Sequence, residues 1–557
     1  MVDTPADTSV LRGTRSRGAA WSWAAILLCL VCITPILFVF VAATGDAEGL
    51  WGHLFETVLP RYVANTLGLM VGVALVALGF GIPGAWAVSR YRFPGRRLFE
   101  WMLLLPAAVP AYLIAYTYTD FLEYAGPVQG GLRDLFGWSS ARDYWFPEIR
   151  SLEGASLVMG AVLYPYVYLM ARTAFTLTPA SLFEAGRLAN RNLFWSVGLP
   201  IARPAIVAGL ALVLMETISD FGTVEYFAVE TLTLGIFNVW LGMNNLPAAA
   251  QIACLAFFFV LALLILERYA RSRRQYSDTG RKAVAQTAIQ PGPAGTAWCL
   301  AACLIPIVIG FVVPVGVLLS FVLRGYSLSL EDAALDAVLN SLLISGATAV
   351  TVMAVAALIV FVSVYRGGRW MRILAAMAAV GYAFPGTILA IGVVTAVGAL
   401  DSGISASVEA LTGVPSGALL SSGIGLVLFA CAVRFMAVGY GAITTGVQRL
   451  PPNMMNASRV LGHGFASSFR HVILPLVRTS ILAGGMLVFV DVMKELPMTL
   501  LLRPFNFETM ATHVYQYAKD ELLEEAALPA LMIVVAGIGP VILMNAALRR
   551  IGAGRGG

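Results

Sequence analysis

Long apolar stretches alternate with short polar stretches along almost the whole chain. An apolar run of about 18 residues or more predicts a membrane-spanning helix. By this criterion the pattern predicts twelve spans, at residues 21–43, 63–88, 98–119, 157–176, 203–223, 249–267, 298–323, 340–365, 371–398, 418–441, 478–500 and 526–548. The expected fold class is therefore an all-α polytopic membrane protein.

Short motifs of the first half return in the second half, and most matching residues are separated by the same number of positions. Asn65 returns as Asn340, and Pro110 returns as Pro385. A repeat this long is a duplicated domain rather than a short solenoid unit. Because six predicted spans separate the copies, both halves cross the membrane in the same direction. The repeat is parallel, related by an axis along the membrane normal.

Composition and charge support the membrane class and orient the spans. Charged residues make up only 12% of the chain, and its mean hydropathy is +0.82, whereas soluble domains are about 25% charged. Lys and Arg are enriched in short cytoplasmic loops. Arg12, Arg15 and Arg17 precede the first span, while Arg549 and Arg550 follow the last. Both termini are therefore predicted to be cytoplasmic, and the net charge of +5 indicates topology rather than nucleic-acid binding.

These observations predict five regions. They are a cytoplasmic N-terminal tail (1–20), a first six-span repeat (21–267), a basic and then Pro/Gly-rich cytoplasmic linker (268–297), a second six-span repeat (298–548) and a cytoplasmic C-terminal tail (549–557).

The segment after the fourth span of each half is too polar to span a membrane. It covers residues 184–200 in the first half and 456–475 in the second, and each copy contains aromatic residues and ends in Leu-Pro. A short cytoplasmic helix with exposed aromatics suits docking of a partner protein. It equally suits an amphipathic helix resting on lipid headgroups. The residues alone leave both interpretations open.

Both segments resemble the coupling motif of ABC-transporter permeases, in which Glu-Ala-Ala, three residues and Gly precede a later Leu-Pro. The matching positions, substitutions included, are Glu184, Ala185, Gly186, Leu199 and Pro200 in the first copy and Asn456, Ala457, Gly462, Leu474 and Pro475 in the second. The first copy has Asn190 where the motif has Gly, and it is three residues shorter. We therefore expect the two docking turns to differ in shape.

Residues 216–227 and 489–511 resemble segments of fused bacterial iron(III) permeases. The resemblance implies two parallel six-helix importer repeats in a bacterial inner membrane. It also implies an ATP-driven importer, with ferric iron as the expected substrate. Permeases for thiamine, sulfate, phosphonates or polyamines share the scaffold and are the alternatives. The implied partners are two ABC ATPase subunits in the cytoplasm and a periplasmic or extracellular substrate-binding protein.

The chain contains no Gly-x-x-x-x-Gly-Lys-Ser/Thr phosphate loop, the motif whose backbone holds nucleotide phosphates. It is therefore not expected to be an enzyme. ATP and Mg²⁺ are expected on the partner subunits, and no cofactor is expected on this chain.

Two acidic pairs lie at equivalent positions of the fifth and eleventh spans. Glu216 and Asp220 are four residues apart, as are Asp491 and Glu495, so each pair shares a helix face. Charged residues in spans usually face a bundle interior, pair, or line a pathway, and carboxylates suit hard cations. The pairs are candidates either for pathway lining or for structural contacts at a gate. A tight iron site is not expected, because transport requires release.

A rival interpretation is an ion-driven secondary transporter with two parallel six-helix halves, in which the acids carry protons. It shares the topology but does not account for a Leu-Pro-terminated coupling segment in each half.

Overall fold

The computed structural model describes residues 8–272, 289–325, 332–414, 419–421, 423–448, 450–451 and 453–553. Most of the predicted linker, residues 273–288, and the first seven residues of the predicted N-terminal tail lie outside this part.

The first half consists of helices and connecting loops. In chain order the helices are α1 (Thr8–Ala42), α2 (Leu50–His53), α3 (Leu59–Arg90), α4 (Arg96–Met102), α5 (Ala111–Leu122), α6 (Pro127–Phe136), α7 (Leu152–Leu177), α8 (Ala180–Leu188), α9 (Leu199–Ser219), α10 (Gly222–Tyr226), α11 (Leu232–Phe237) and α12 (Leu246–Ser272). A 3₁₀ turn (Leu105–Ala108) and π-helical turns (Leu54–Val58, Phe194–Gly198 and Asn238–Gly242) complete it.

The second half follows the same plan. Its helices are α13 (Pro293–Ile307), α14 (Val313–Leu323), α15 (Asp332–Tyr365), α16 (Arg369–Ala378), α17 (Gly386–Thr412), α18 (Ile424–Val447), α19 (Met454–Val460), α20 (Phe465–Ser468), α21 (Leu474–Met493), α22 (Pro497–Leu502), α23 (Met510–Lys519) and α24 (Ala527–Ala553). Its irregular turns are Val308–Val312, Gly381–Ala383 and Phe469–Ile473.

The predicted fold class is confirmed. The described residues contain 10 helices long and apolar enough to cross a membrane, or 11 if one bent pair forms a single span. That pair joins Arg96–Ala108 to Ala111–Phe136 at an angle of 93°, where Pro110 precedes α5. Proline lacks the N–H that a continuous helix needs. The twelfth predicted span falls on α24, whose described apolar part is Ala527–Gly539.

The chain divides into two compact units that do not coincide with the sequence repeats. The first unit contains Met1–Ala42, Ser341–Met493 and Leu501–Phe507. The second contains Ala43–Asn340, Lys494–Leu500 and Glu508–Gly557. Each unit therefore combines helices from both halves of the sequence. The predicted boundaries describe the repeat in the sequence and are not the boundaries of the compact units.

Within the first unit, α1 packs against α16 and α17 of the second half. The contact is close at Gly392, where an added Cβ would lie 2.0 Å from the carbonyl oxygen of Pro35. Small residues allow helix backbones to approach in membranes, where van der Waals packing drives helix association.

Within the second unit, α13 packs against α3, and α14 packs against α5. The hydroxyl of Tyr118 donates a hydrogen bond to the carbonyl oxygen of Ile309 at 2.9 Å. An added Cβ at Gly310 would lie 2.4 Å from the carbonyl oxygen of Ala161. The first span of each half thus packs against helices of the other half.

Candidate functional site

The two coupling segments end their first helix with the same turn. In the first, α8 carries Glu184, Ala185 and Gly186, and the N–H of Arg191 donates to the carbonyl oxygen of Gly186 at 3.0 Å. Asn190, between them, has a φ of 50°. A hydrogen bond from a backbone N–H to the carbonyl oxygen five residues earlier, with a left-handed backbone conformation at the residue before the donor, defines a Schellman motif at the end of a helix.

The second segment repeats this geometry on α19, which carries Asn456 and Ala457. The N–H of His463 donates to the carbonyl oxygen of Ser458 at 3.2 Å, and Gly462 has a φ of 84°. Asparagine is one of the few residues other than glycine that tolerates the left-handed region. Asn190 therefore replaces glycine without changing the turn, and the expected difference in turn shape is not found.

The three additional residues of the second segment lie after the turn. A full helical turn, α20, precedes the π-helical turn Phe469–Ile473, whereas one helical residue, Leu193, precedes the π-helical turn Phe194–Gly198. At 1.5 Å per residue the second segment is longer by about 4.5 Å. Both π-helical turns lead directly into the Leu-Pro pairs that begin α9 and α21.

Apolar side chains at the ends of both coupling helices are exposed on the surface of the protein. Leu188 of α8 is 90% exposed, and its counterpart Val460 of α19 is 87% exposed. Leu461, the next residue, is 78% exposed. Large exposed apolar residues grouped at the end of a short helix suit a protein interface.

An aromatic contact anchors each coupling segment to the end of a long helix within its own unit. In the first segment the rings of Trp86 and Phe194 pack edge-on, with centroids 5.1 Å apart. The corresponding rings of Phe361 and Phe469 pack edge-on at 4.4 Å. Trp86 and Phe361 are related by the repeat offset, as are Phe194 and Phe469. The coupling motif does not include Trp86 and Phe361. A search for aromatic residues that occupy matching positions in the two halves would have found them.

A cation also holds the first coupling helix. The guanidinium of Arg90 lies over the ring of buried Phe183, 3.8 Å from its centroid. Phe183 is the inward-facing residue of α8, so this contact fixes one side of the helix while Leu188 remains exposed.

One acid of each predicted pair caps a short helix. Asp220 follows α9, and its carboxylate accepts hydrogen bonds from the N–H groups of Thr223 and Val224, at 3.0 and 3.3 Å, and from the Thr223 hydroxyl at 3.1 Å. These bonds satisfy amide donors at the start of α10. A carboxylate is a preferred group at this position, both as an acceptor and against the positive end of the helix dipole.

Glu495 has the same relationship to α22. Its carboxylate accepts from the N–H groups of Met498 and Thr499, at 3.1 and 2.9 Å, and from the Thr499 hydroxyl at 2.9 Å. The threonine hydroxyl of the cap comes from the fourth residue after Glu495, Thr499, whereas it comes from the third residue after Asp220, Thr223. The difference fits the side chain of glutamate, which is one methylene longer than that of aspartate. Glu216 and Asp491 lie one turn earlier, half-buried, on α9 and α21.

The segments that contain Asp220 and Glu495 meet at Gly222. An added Cβ at Gly222 would lie 2.8 Å from Leu496 Cδ2 and 2.7 Å from Tyr112 Cβ. Both carboxylates also act electrostatically on Tyr112. The structure therefore brings together Asp220, Glu495 and a tyrosine that the sequence pattern did not single out. These residues belong to the second unit, as does Glu216, whereas Asp491 belongs to the first.

The repeated asparagines hold the segments that follow the caps. The side-chain amide of Asn65 donates to the carbonyl oxygen of Glu230 at 3.0 Å, and that of Asn340 donates to the carbonyl oxygen of Glu508 at 3.0 Å. In each case the next residue, a threonine, caps the following helix, α11 or α23.

Within the described residues, no group of three or more His, Cys, Asp or Glu side chains is placed to hold a metal ion. Asp220 and Glu495 are engaged in helix caps, and the prediction that no tight iron site exists stays a prediction.

The known proteins to which this chain is similar are membrane components of transport systems. The family described as the binding-protein-dependent transport system inner membrane component matches residues 353–554. Among curated relatives, the Fe(3+)-transport system permease protein FbpB 2 of Haemophilus influenzae is 24% identical over 94% of this chain and 98% of its own length.

Two shorter relatives match less than half of the chain. The molybdenum transport system permease ModB of Escherichia coli is 25% identical over 39% of this chain and 96% of its own length. The sulfate transport system permease CysT of Escherichia coli is 27% identical over 44% of this chain and 90% of its own length.

Proposed function

The chain belongs to the family of binding-protein-dependent transport inner membrane components, and from this premise we propose that it imports ferric iron. It is the permease component of an ABC transporter, a multi-pass membrane protein that carries the translocation pathway. The ferric assignment rests on the full-length relative, which is a ferric permease and covers 94% of the chain. The molybdenum and sulfate permeases cover only 39% and 44%.

We propose that two ATPase subunits dock on the two coupling segments, one on each. The observation that carries this proposal is the shared geometry of the segments. Both helices end in the same Schellman turn and expose an apolar residue at its edge, Leu188 or Val460. The aromatic pairs Trp86–Phe194 and Phe361–Phe469 join each docking turn to a long helix. Movement imposed on the turn would therefore be transmitted into the membrane part.

The energy source lies on the partner subunits. Closure of the ATPase pair on ATP draws the coupling helices together and converts the pathway from inward-facing to outward-facing, and hydrolysis resets it. This requires ATP to stabilise one conformation more than the other, since a ligand with equal affinity for both shifts nothing. A substrate-binding protein delivers iron on the opposite side. The termini and coupling segments face the cytoplasm of a bacterial inner membrane, as the arginine distribution predicts.

The test is transport by proteoliposomes that contain this chain, its ATPase and its binding protein. Uptake of radioactive ferric iron would be compared with uptake of molybdate, sulfate, thiamine and a polyamine, with and without internal ATP. ATP-dependent uptake of iron alone is expected. ATP-dependent uptake of another solute would overturn the iron assignment, while uptake without ATP would favour the ion-driven transporter.

A further inference from the structure

Two buried tyrosines on α5 have hydroxyl groups without a hydrogen-bond partner in the described part of the chain. Tyr112 is 4% exposed and Tyr116 is 1% exposed. Neither hydroxyl has a hydrogen-bond partner among the residues that the structure describes. Leaving a buried polar group unpaired costs free energy, and such groups in native proteins call for an explanation.

The tyrosines follow a sharp break between two helices. The bent pair of helices turns by 93° before α5, and Tyr112 is the second residue after Pro110. Irregular backbone at membrane depth occurs where it is buried in protein or lines a cavity. Interrupted helices in transporters commonly form the substrate site.

The two side chains pack against segments that carry acidic and aromatic residues. Tyr112 lies against Gly222, which Leu496 also approaches; these two residues belong to the segments that follow Asp220 and Glu495. Tyr116 stands one helical turn further along α5, and its ring packs edge-on against the ring of Tyr226 at 4.5 Å. Glu225 also acts electrostatically on Tyr116. Neighbouring segments of α5 thus carry two capping carboxylates and a further phenol.

The second half has the same feature at the matching position. Thr387 is the repeat counterpart of Tyr112 and is the second residue after Pro385, where α17 begins. It is fully buried, and its hydroxyl has no hydrogen-bond partner in the described part of the chain. An unpaired hydroxyl just after the break is therefore a repeated feature of the two halves.

We propose that the hydroxyls of Tyr112 and Tyr116 line the translocation pathway and hydrogen-bond to the oxygen ligands of the ferric ion as it passes. The inference rests on the proposed function and names the contact that the cargo makes. Ferric iron is a hard cation that keeps oxygen ligands, such as water, carboxylate or phosphate. A neutral phenol both donates and accepts, so it can contact such a shell without displacing it. Contacts of this kind are weak enough to permit release.

The first experiment removes only the hydroxyl groups. Tyr112→Phe and Tyr116→Phe, alone and combined, would be compared with Tyr164→Phe in the reconstituted complex. Tyr164 is a matched control, because it is fully buried in the same unit and its hydroxyl is unpartnered among the described residues. Its ring packs edge-on against Phe80 on α3, whereas Tyr112 lies against Gly222.

We expect the double variant to move about fivefold less iron per ATP hydrolysed, the effect of losing one or two net hydrogen bonds in the passage of the cargo. Tyr164→Phe should match the parent protein. Equal transport by all variants would overturn the contact, as would an equal loss in the control.

The second experiment tests pathway lining without reference to iron. Tyr112→Cys, Tyr116→Cys and Tyr164→Cys would be made in a transport-competent background in which the six native cysteines are alanine. Each would be treated with a membrane-impermeant thiol reagent, with and without trapped ATP. Labelling at positions 112 and 116 in one nucleotide state, but not at 164, is expected.

The two experiments separate the two ways of failing. Absence of labelling at 112 and 116 in every state would overturn pathway lining, even if the parent complex imports iron. Labelling together with import of a different solute would support lining and overturn both the iron assignment and the ferric contact.

Discussion

The ring of Phe194 packs edge-on against the ring of Trp86, with centroids 5.1 Å apart. The contact joins the first coupling segment to the end of α3, and Phe361 and Phe469 form its counterpart in the second half. Aromatic pairs in this arrangement contribute about 0.5–1.5 kcal/mol beyond the area they bury. The contact therefore attaches the segment to α3, the helix through which the proposed coupling would act.

We expect Trp86→Ala to uncouple ATP hydrolysis from transport. Removing the ring leaves a cavity beneath the coupling segment, and truncating a buried aromatic residue costs about 3–5 kcal/mol. Uptake per ATP hydrolysed in proteoliposomes should therefore fall severalfold. Trp86→Phe is the matched control, since it reproduces the Phe361–Phe469 pair and should retain most of the coupling. Full coupling in Trp86→Ala would show that the contact transmits nothing.

The exposed ends of the coupling helices provide a test of ATPase docking. Leu188→Asp and Val460→Asp place a charge on side chains that are 90% and 87% exposed. Surface substitutions of this kind usually change stability by less than about 0.5 kcal/mol, so folding and membrane insertion should be preserved. A buried unpaired charge at an interface should weaken binding of the ATPase by at least about 2 kcal/mol. Affinity measured with purified components would decide, and unchanged affinity for both variants would exclude this surface.

The docking turn at Gly462 makes a sharper prediction. Its φ of 84° is strained for a residue with a branched side chain, at a cost of about 1–2 kcal/mol. Asparagine serves at the equivalent position of the first segment, where Asn190 has a φ of 50°. Gly462→Val should therefore lower ATPase-coupled uptake, whereas Gly462→Asn should preserve it. Similar uptake by both variants would mean that the shape of the turn is not required.

The sequence predicted the features that depend on local pattern. Long apolar runs defined the helices, and the repeat paired Leu199-Pro200 with Leu474-Pro475 at the start of α9 and α21. It did not predict the equal shape of the docking turns. The motif requires glycine where the first segment has Asn190, but Asn190 and Gly462 both adopt a left-handed backbone conformation. The sequence did show that the second segment is three residues longer than the first. It did not show that these residues form α20, because that depends on where the helix begins again after the turn.

The packing of α1 and α13 could not be predicted from the sequence. The repeat assigns α1 to the first half, yet it packs against α17 through the close approach of Pro35 and Gly392. Apolar runs specify that a helix enters the membrane, while van der Waals fit between small residues selects its neighbours. Likewise, what marks Tyr112 is a buried hydroxyl without a hydrogen-bond partner among the described residues, which is a property of the packing. No periodicity distinguishes it from Tyr118, whose hydroxyl donates to Ile309.

The two interpretations of the acids, as charged pathway groups or as structural contacts, can be separated at Asp220 and Glu495. Asparagine is as good a helix cap as aspartate, whereas alanine costs about 0.5–2 kcal/mol. We expect Asp220→Ala and Glu495→Ala to lower the thermal stability of the complex. Asp220→Asn and Glu495→Gln should preserve it, because an amide oxygen still accepts the N–H groups of Thr223 and Thr499. Stability equal to that of the parent protein in both alanine variants would show that the caps contribute little.

With the caps preserved, charge can be tested by itself. We expect the combined amide variant, with Glu216→Gln, Asp220→Asn, Asp491→Asn and Glu495→Gln, to assemble with the ATPase and to hydrolyse ATP while losing iron uptake. The physical reason is that a trivalent cation passing through a low-dielectric region needs negative charge nearby, and four amides provide none. Radioactive iron uptake and ATP hydrolysis would be measured on the same proteoliposomes. Iron uptake at the parent rate would remove the acids from the pathway and leave capping as the role of Asp220 and Glu495.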